Sequence, residues 1–231
     1  MLDISPTEWT AILLSLRVAV IATLVATPLG IAVAYLLARG EFRGKSVLDA
    51  LIHLPLVLPP VVTGYLLLLT FGKRGMVGAW LAETFGIVLA FRWTGAALAC
   101  GVMSFPLLVR PIRLSIEAVD RRLEQAASTL GASPWRVFTT VTLPLALPGV
   151  LAGMVLGFAK AIGEFGATIT FVSNIPGETQ TISSAIYSLI QTPDGDTAAL
   201  RLVVVSVVIA MAALVASEWF ARRATLRLHG N

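Results

Sequence analysis

The chain has 231 residues, 57% of them hydrophobic and only 13% charged, with a formal net charge of +4 and a mean hydropathy of +0.86. Soluble domains run at about 25% charged and 45–50% apolar, so this composition excludes an ordinary water-soluble core and marks an integral membrane protein. The single cysteine, Cys100, lies in an apolar run, which excludes an internal disulfide and offers no zinc cage.

The first eight residues, MLDISPTE, are acidic rather than basic, and the apolar run behind them is too long for a cleavable signal peptide. Val18 to Ala38 is a charge-free run of 21 residues, enough to cross a hydrocarbon core of about 30 Å at about 1.5 Å per residue. It closes at Arg39-Gly40. The segment Gly40-Glu41-Phe42-Arg43-Gly44-Lys45-Ser46 imitates a phosphate-binding loop, but that motif needs four residues between its glycines and only three stand here. A basic turn is the better reading, so the chain brings no nucleotide site of its own.

Leu54 to Gly72 is the second apolar run, opened by Pro55, Pro59 and Pro60. Three prolines in six residues mark the entry of a span. They also preclude a regular helix there, and free backbone at that depth is tolerated only where protein or water satisfies it. Met76 to Phe91 carries Glu83 and is 16 residues long, which reads as an interfacial or re-entrant piece. The third span is Trp93 to Val109, interrupted by Pro106 and closed by Arg110. The fourth begins after Pro144 and reaches about Phe165; the fifth is Leu202 to Ser217, followed by Glu218, Trp219 and Arg222 as an aromatic and basic anchor. Between them lies a stretch rich in Gly, Ser and Thr, in which Ser183 to Gln191 forms a short helix and Pro193-Asp194-Gly195 a turn. The expected fold is all-α, one membrane domain over residues 1–231 with about five transmembrane helices.

Five spans place the termini on opposite sides. With the amino terminus outside, inner segments hold Arg39, Arg43, Lys45, Arg110, Arg113, Arg121, Arg122, Arg136, Arg222, Arg223 and Arg227, and outer segments hold Lys73, Arg74 and Arg92. Eleven against three is the positive-inside pattern, and it puts the carboxyl terminus and residues 120–144 in the cytoplasm. A sixth span at Met76–Phe91 would split the two basic loops between the two sides and weaken it.

Residues 120–144, DRRLEQAASTLGASPWRVFTTVTLP, carry their own start and stop signals. Asp120 is an N-cap for a helix through Leu130, and Gly131 supplies the left-handed residue that ends it. Ser133 caps a second helix with Pro134 at its first position, and Pro144 closes that helix. Leu123, Ala126, Ala127 and Leu130 share one helix face, as do Val137, Phe138 and Val141. The segment reads as a helix–glycine–helix knob between spans.

Lys160 and Glu164 are four residues apart on the fourth span, hence on one face and able to pair. Ionisable groups in spans usually face a bundle interior or a water-filled path. Two readings stand side by side: an ion pair that orients the helix, and a pathway or gate feature with Gly163, Gly166 and Thr168 around it. His53, beside the proline cluster, and His229, in the tail, are not read as metal ligands. No nucleophile–base or paired-carboxylate constellation suggests an enzyme.

The pattern Gln125-Ala126-Ala127, Gly131, then Val141-x-Leu143-Pro144 resembles the E-A-A-x3-G-x9-I-x-L-P loop of permease subunits of binding-protein-dependent ABC importers. Gln125 replaces the usual Glu and Val141 the usual Ile. The segments FRGKSVLDALIHLPLVLPPVVTGYLLL, LEQAASTLGASPWRVFTTVTLPLALPG and GEFGATITFVSNIPGETQTI, followed by AIYSLIQTPDGD, are similar to the molybdate branch of that family. Sulfate permeases share parts of the pattern. The resemblance implies a type I importer permease fold, a homodimer in the bacterial cytoplasmic membrane, cytoplasmic ATPase subunits and an extracytoplasmic molybdate-binding protein. It implies no cofactor, no nucleic acid and no catalysis by this chain. It also implies docking of the knob into the ATPase subunit through Gln125, Ala126, Ala127, Leu130, Gly131, Trp135, Val141, Leu143 and Pro144. Tungstate or sulfate stands as the alternative cargo. A stand-alone proton-coupled anion transporter would need a coupling site at paired broken helices; no such pairing stands out in the sequence, though Glu164 could carry a proton. A purely structural membrane subunit would need neither the capped knob nor the polar outer segment.

Overall fold

The computed structural model describes the backbone of residues 4–229 and the side chains of residues 4–216. The predicted anchor Glu218, Trp219 and Arg222, the basic Arg223 and Arg227, and His229 have side chains outside the described set. Among the described residues the chain is helical throughout; four helices are long and apolar enough to cross a membrane, and one bent pair meets the same test only when its two helices are taken together.

Helix α1 runs from Pro6 to Arg39, starting twelve residues before the charge-free run. The charges that hid this start have partners in the fold. Ser5 and Glu8 form a capping box, and Glu8 Oε1 also accepts from Arg201 Nη2 at 2.8 Å. The Arg17 guanidinium lies 3.8 Å above the ring centroid of Trp93.

The second apolar run is split between two helices. Helix α2 (Lys45–Val57) and α3 (Pro60–Phe71) are bent by 114° relative to one another. The bend sits at Leu58-Pro59, and Pro60 opens α3 where a missing N–H costs nothing. Pro55, by contrast, lies inside α2. It forfeits the bond to the carbonyl four residues back, yet the helix runs on for two residues, so only part of the proline cluster makes the break.

Helix α4 (Met76–Phe85) has 10 residues, about 15 Å long and half what a span needs. It ends at Gly86, whose φ of +68° is the left-handed cap geometry glycine favours. This agrees with a short interfacial or re-entrant piece.

Helix α5 (Trp93–Ala118) is the centre of the molecule. It passes through Pro106, Arg110 and Pro111, so Arg110 does not close it; the exposed guanidinium sits on the outside of a helix that continues beyond the apolar run. That extension carries Arg113, which pairs with Glu117 one turn on at 2.8 Å and with Asp49 of α2 at 2.9 Å. Ala96, Ala99, Cys100, Met103, Leu108, Val109, Ile112 and Ile116 of α5 are buried. The neighbours α1 and α8 come close because glycines face it: Gly30 abuts Leu108, and Gly153 abuts the Leu108 carbonyl. Small residues at membrane helix contacts serve this close approach.

The remaining elements are α6 (Arg121–Thr129), α7 (Pro134–Val137) with a π-turn at Phe138–Thr142, and α8 (Leu143–Ile162). They are followed by α9 (Gly166–Val172), α10 (Ile182–Leu189) and α11 (Asp196–His229). Helix α10 matches the short helix expected at Ser183–Gln191 to within two residues. Helix α11 begins six residues earlier than the predicted fifth span, because Arg201 is taken up by Glu8.

Candidate functional site

The knob begins as its caps dictate. Asp120 is the N-cap of α6, its Oδ1 accepting from the Arg122 N–H at 2.9 Å. At the far end the Gly131 N–H donates to the Ser128 carbonyl and the Ala132 N–H to the Ala127 carbonyl. With Gly131 at φ +85°, this is a Schellman ending. A Cβ on Gly131 would meet nothing, so backbone conformation alone calls for glycine here.

The second half departs from expectation. Ser133 occupies the N-cap position of α7 in an extended conformation, but its side chain makes no cap bond. Pro144 does not close the helix: α7 passes through the π-turn directly into α8, forming one span from Pro134 to Ile162. The Leu143 N–H reaches back to the Phe138 carbonyl in this wide turn. Pro144 then falls at the second position of α8, immediately after the π-turn. The fourth span thus carries half of the knob as its own extension.

No residue of α6 is buried. Leu123 is 50% exposed, Leu130 89% and Trp135 73%, and Gln125, Ala126 and Gly131 are exposed with them. Ala127 is half-buried, as are Val141, Leu143 and Pro144 at the base of the knob. The apolar face of α6 therefore points away from the body. Trp135 lies against Phe138, centroids 5.6 Å apart, and Phe138 meets Tyr35 of α1 edge-on at 5.0 Å.

A second cluster lies at the other end of α8. Lys160 Nζ donates to Glu164 Oε2 at 2.7 Å, and the Ala167 N–H donates to Glu164 Oε1 at 2.9 Å. Glu164 is 1% exposed. The pair exists, but α8 ends at Ile162 with Gly163 as its C-cap, so Glu164 sits in the break between α8 and α9 rather than on one helix with Lys160. Thr168 is buried and donates to the Phe165 carbonyl.

This break packs on the break in the second span. A Cβ on Gly166 would lie 2.7 Å from Pro60 Cβ, and one on Gly64 would lie 2.5 Å from the Ala167 carbonyl oxygen. Two broken helices thus stand side by side, a pairing the sequence did not display. Backbone interruptions at membrane depth need protein or water around them, and here Glu164 satisfies part of the second. His53 has Asp49 one turn before it, its Nδ1 2.8 Å from the Asp49 carbonyl oxygen. Among the described residues no three His, Cys, Asp or Glu side chains gather as metal ligands do.

Residues 26–226 match the family model described as "Binding-protein-dependent transport system inner membrane component". The chain belongs to this family. It is 61% identical over 215 residues to the Molybdenum transport system permease protein ModB of Escherichia coli (strain K12), covering 93% of this chain and 94% of that one. It is 58% identical over 225 residues to the protein of the same name in Haemophilus influenzae, covering 97% and 98%. A crystal structure of a bacterial ABC transporter involved in the import of the acidic polysaccharide alginate superposes with a TM-score of 0.75. At 18% identity, it covers 95% of this chain and 80% of that one; that likeness concerns the fold, an importer permease with its membrane helices. The chain is thus a multi-pass inner-membrane component of an ABC importer, and membership in this family weighs against a stand-alone secondary transporter despite the paired breaks.

One residue at the heart of this permease's knob was not singled out in the sequence. Glu124 Oε1 receives Arg39 Nη2 at 3.0 Å and Thr142 Oγ1 at 2.7 Å. Arg39 Nη2 also donates to the Val119 carbonyl at 2.9 Å. Arg39 counts in sequence as one more inner charge, and Glu124 as a first-turn acid beside the helix dipole. Only an inner position for both, combined with the proximity of span ends, could have suggested their pairing.

Proposed function

We propose that this chain is the permease subunit of an ATP-driven importer that moves molybdate across the cytoplasmic membrane. It works as a homodimer with separate ATPase subunits and an extracytoplasmic molybdate-binding protein. The observation that carries the coupling role is the outward apolar face of the capped knob, Leu123, Leu130 and Trp135, on an otherwise charged helix pair. A membrane protein buries such a face in lipid or in a partner. A tip flanked by Arg121, Arg122 and Arg136 belongs outside the hydrocarbon, hence in a partner. Gln125, Ala126, Ala127, Leu130, Gly131 and Trp135 form the docking surface, and Val141, Leu143 and Pro144 fix its base.

A tetrahedral dianion cannot cross hydrocarbon, and five spans are few to enclose a polar route, so a two-fold dimer with the route on its axis is the economical arrangement. The spans carry no arginine cluster that would hold an anion tightly, which assigns recognition to the binding protein and leaves the permease a weak path. Lys160, Gly163, Glu164, Gly166 and Thr168 are its gate, at the place where the two broken helices meet. This chain performs no hydrolysis; ATP binding on the partner biases a two-state rocking of the dimer through the knob. The arginine count favours an outer amino terminus and a cytoplasmic knob.

Co-purification with the ATPase subunit, followed by uptake of labelled molybdate in the presence of excess tungstate or sulfate, tests the reading. Stable co-purification and uptake resisting sulfate competition support it. Uptake of labelled sulfate in preference to molybdate would move the cargo to the sulfate alternative.

A further inference from the structure

Resting on the coupling role proposed for the knob, we infer that Glu124 is a positioning residue that straps the knob to two spans at once. Its carboxylate binds Arg39, the last residue of α1, at 3.0 Å, and Thr142, the last residue of the π-turn leading into α8, at 2.7 Å. The same guanidinium holds the Val119 carbonyl, the residue after α5, at 2.9 Å. Four elements therefore converge on one ion pair: the inner ends of α1 and α5, the knob helix α6, and the root of α8.

Three features set this pair apart from a surface salt bridge. The side chains of Arg39 and Glu124 are only 12% and 17% exposed, so solvent screens the pair weakly. One carboxylate oxygen takes both donors, and charge-assisted bonds of this type are among the stronger ones. Thr142 itself is fully buried, so its hydroxyl has a fixed place and Glu124 is its acceptor.

Mechanically, α6 is otherwise loosely held. None of its residues is buried, so apolar packing does not fasten it to the body. The knob's second half is continuous with α8, but the π-turn interrupts the regular ladder there, and such turns are frequent at functional sites. A push delivered at Leu130 or Trp135 would bend this turn rather than move the spans unless something bridges it. Glu124 bridges it, because it reaches from α6 across to Thr142 and on to α1. With the strap intact, displacement of the tip is passed to α1, α5 and α8 as a unit.

The test uses the assembled transporter in proteoliposomes, with its ATPase subunit and binding protein, and reads molybdate uptake per ATP hydrolysed. Glu124→Gln keeps the shape and removes the charge; Arg39→Lys keeps the charge and loses the forked geometry and the Val119 bond. Both are expected to co-purify with the ATPase subunit in normal yield, to hydrolyse ATP, and to lose about tenfold in uptake per ATP. Thr142→Val is expected to do the same to a smaller degree. The double exchange Arg39→Glu with Glu124→Arg should recover part of the coupling ratio, since opposite charges again face each other. A ratio unchanged in Glu124→Gln and Arg39→Lys overturns the strap, as does a loss of thermal stability in both with the ratio preserved. Failure of the underlying knob reading looks different: exposed-tip variants such as Leu130→Asp would then leave co-purification and ATPase activity untouched.

Discussion

Glu164, 1% exposed, faces Lys160 at 2.7 Å across the end of α8, and its other oxygen caps the Ala167 N–H at the start of α9. One carboxylate thus closes both sides of a helix break that leans on Pro60 at the break of the second span. Removing one partner of a buried pair strands the other charge, at a cost of about 3–5 kcal/mol when both are fully buried. Lys160 keeps a 29% exposed side chain, which lowers the expected cost for Lys160→Met to about 2 kcal/mol, after the screening of exposed partners. Thermal unfolding of detergent-purified protein should show Lys160→Met and Glu164→Ala each destabilised. The double variant Lys160→Met/Glu164→Gln should recover part of the loss. Equal stability in all three would remove the ion pair from the account.

At the knob, stability and coupling should separate. Leu130 and Trp135 are 89% and 73% exposed, so Leu130→Asp and Trp135→Ala should leave the melting temperature within error, as surface substitutions generally do. They should weaken co-purification with the ATPase subunit by at least tenfold. A pull-down with both variants measures this.

Gly131 tests the turn rather than the surface. At φ +85° a Cβ costs about 1–2 kcal/mol by its clash with the following carbonyl, although no neighbour stands in its way. Gly131→Ala should therefore disturb the Schellman ending and reduce coupling, while Gly131→Asn, more at ease in the left-handed region, should retain more of it. Coupling ratios in the order Gly, Asn, Ala are expected.

The end of the bundle opposite the knob has its own clasp. Glu8 is 5% exposed and binds Arg201 through Nη2 at 2.8 Å and Nε at 3.2 Å, joining α1 to α11. Arg201→Ala leaves that carboxylate with its Ser5 partners alone, and should cost about 2 kcal/mol, the worth of hydrogen bonds to charged groups. Limited proteolysis should find α11 released more readily in Arg201→Ala than in Glu8→Gln/Arg201→Gln.

Much of this was readable in the residues because helix ends and apolar runs are local signals. Asp120, Gly131 and Pro134 announced the knob, and the length of Met76–Phe91 announced a piece too short to cross. Helix starts at Pro6 and Asp196 were hidden because Glu8, Arg17 and Arg201 interrupt the apolar pattern; their charges are satisfied by partners distant in sequence, Glu8 by a residue 193 positions away. The continuity of α7 into α8 was hidden because a π-turn admits Pro144, and nothing in local sequence distinguishes that turn from a helix end. Arg39 with Glu124, 85 residues apart, was invisible for the same reason: pairing across a fold is a tertiary fact. At the end of α8, the Lys160–Glu164 spacing gave the pair correctly but not the break between the two residues, where Gly163 caps α8.

The most direct test of the central claim, that a separate ATPase drives this permease through its knob, is vanadate-sensitive uptake of labelled molybdate. Proteoliposomes would contain this chain and the binding protein, with and without the ATPase subunit. Uptake is expected only when the ATPase subunit and ATP are both present, and should be abolished by vanadate and by Leu130→Asp. Uptake driven by a pH gradient in the absence of the ATPase subunit and sensitive to Glu164→Gln would contradict the account and identify a self-sufficient anion carrier instead.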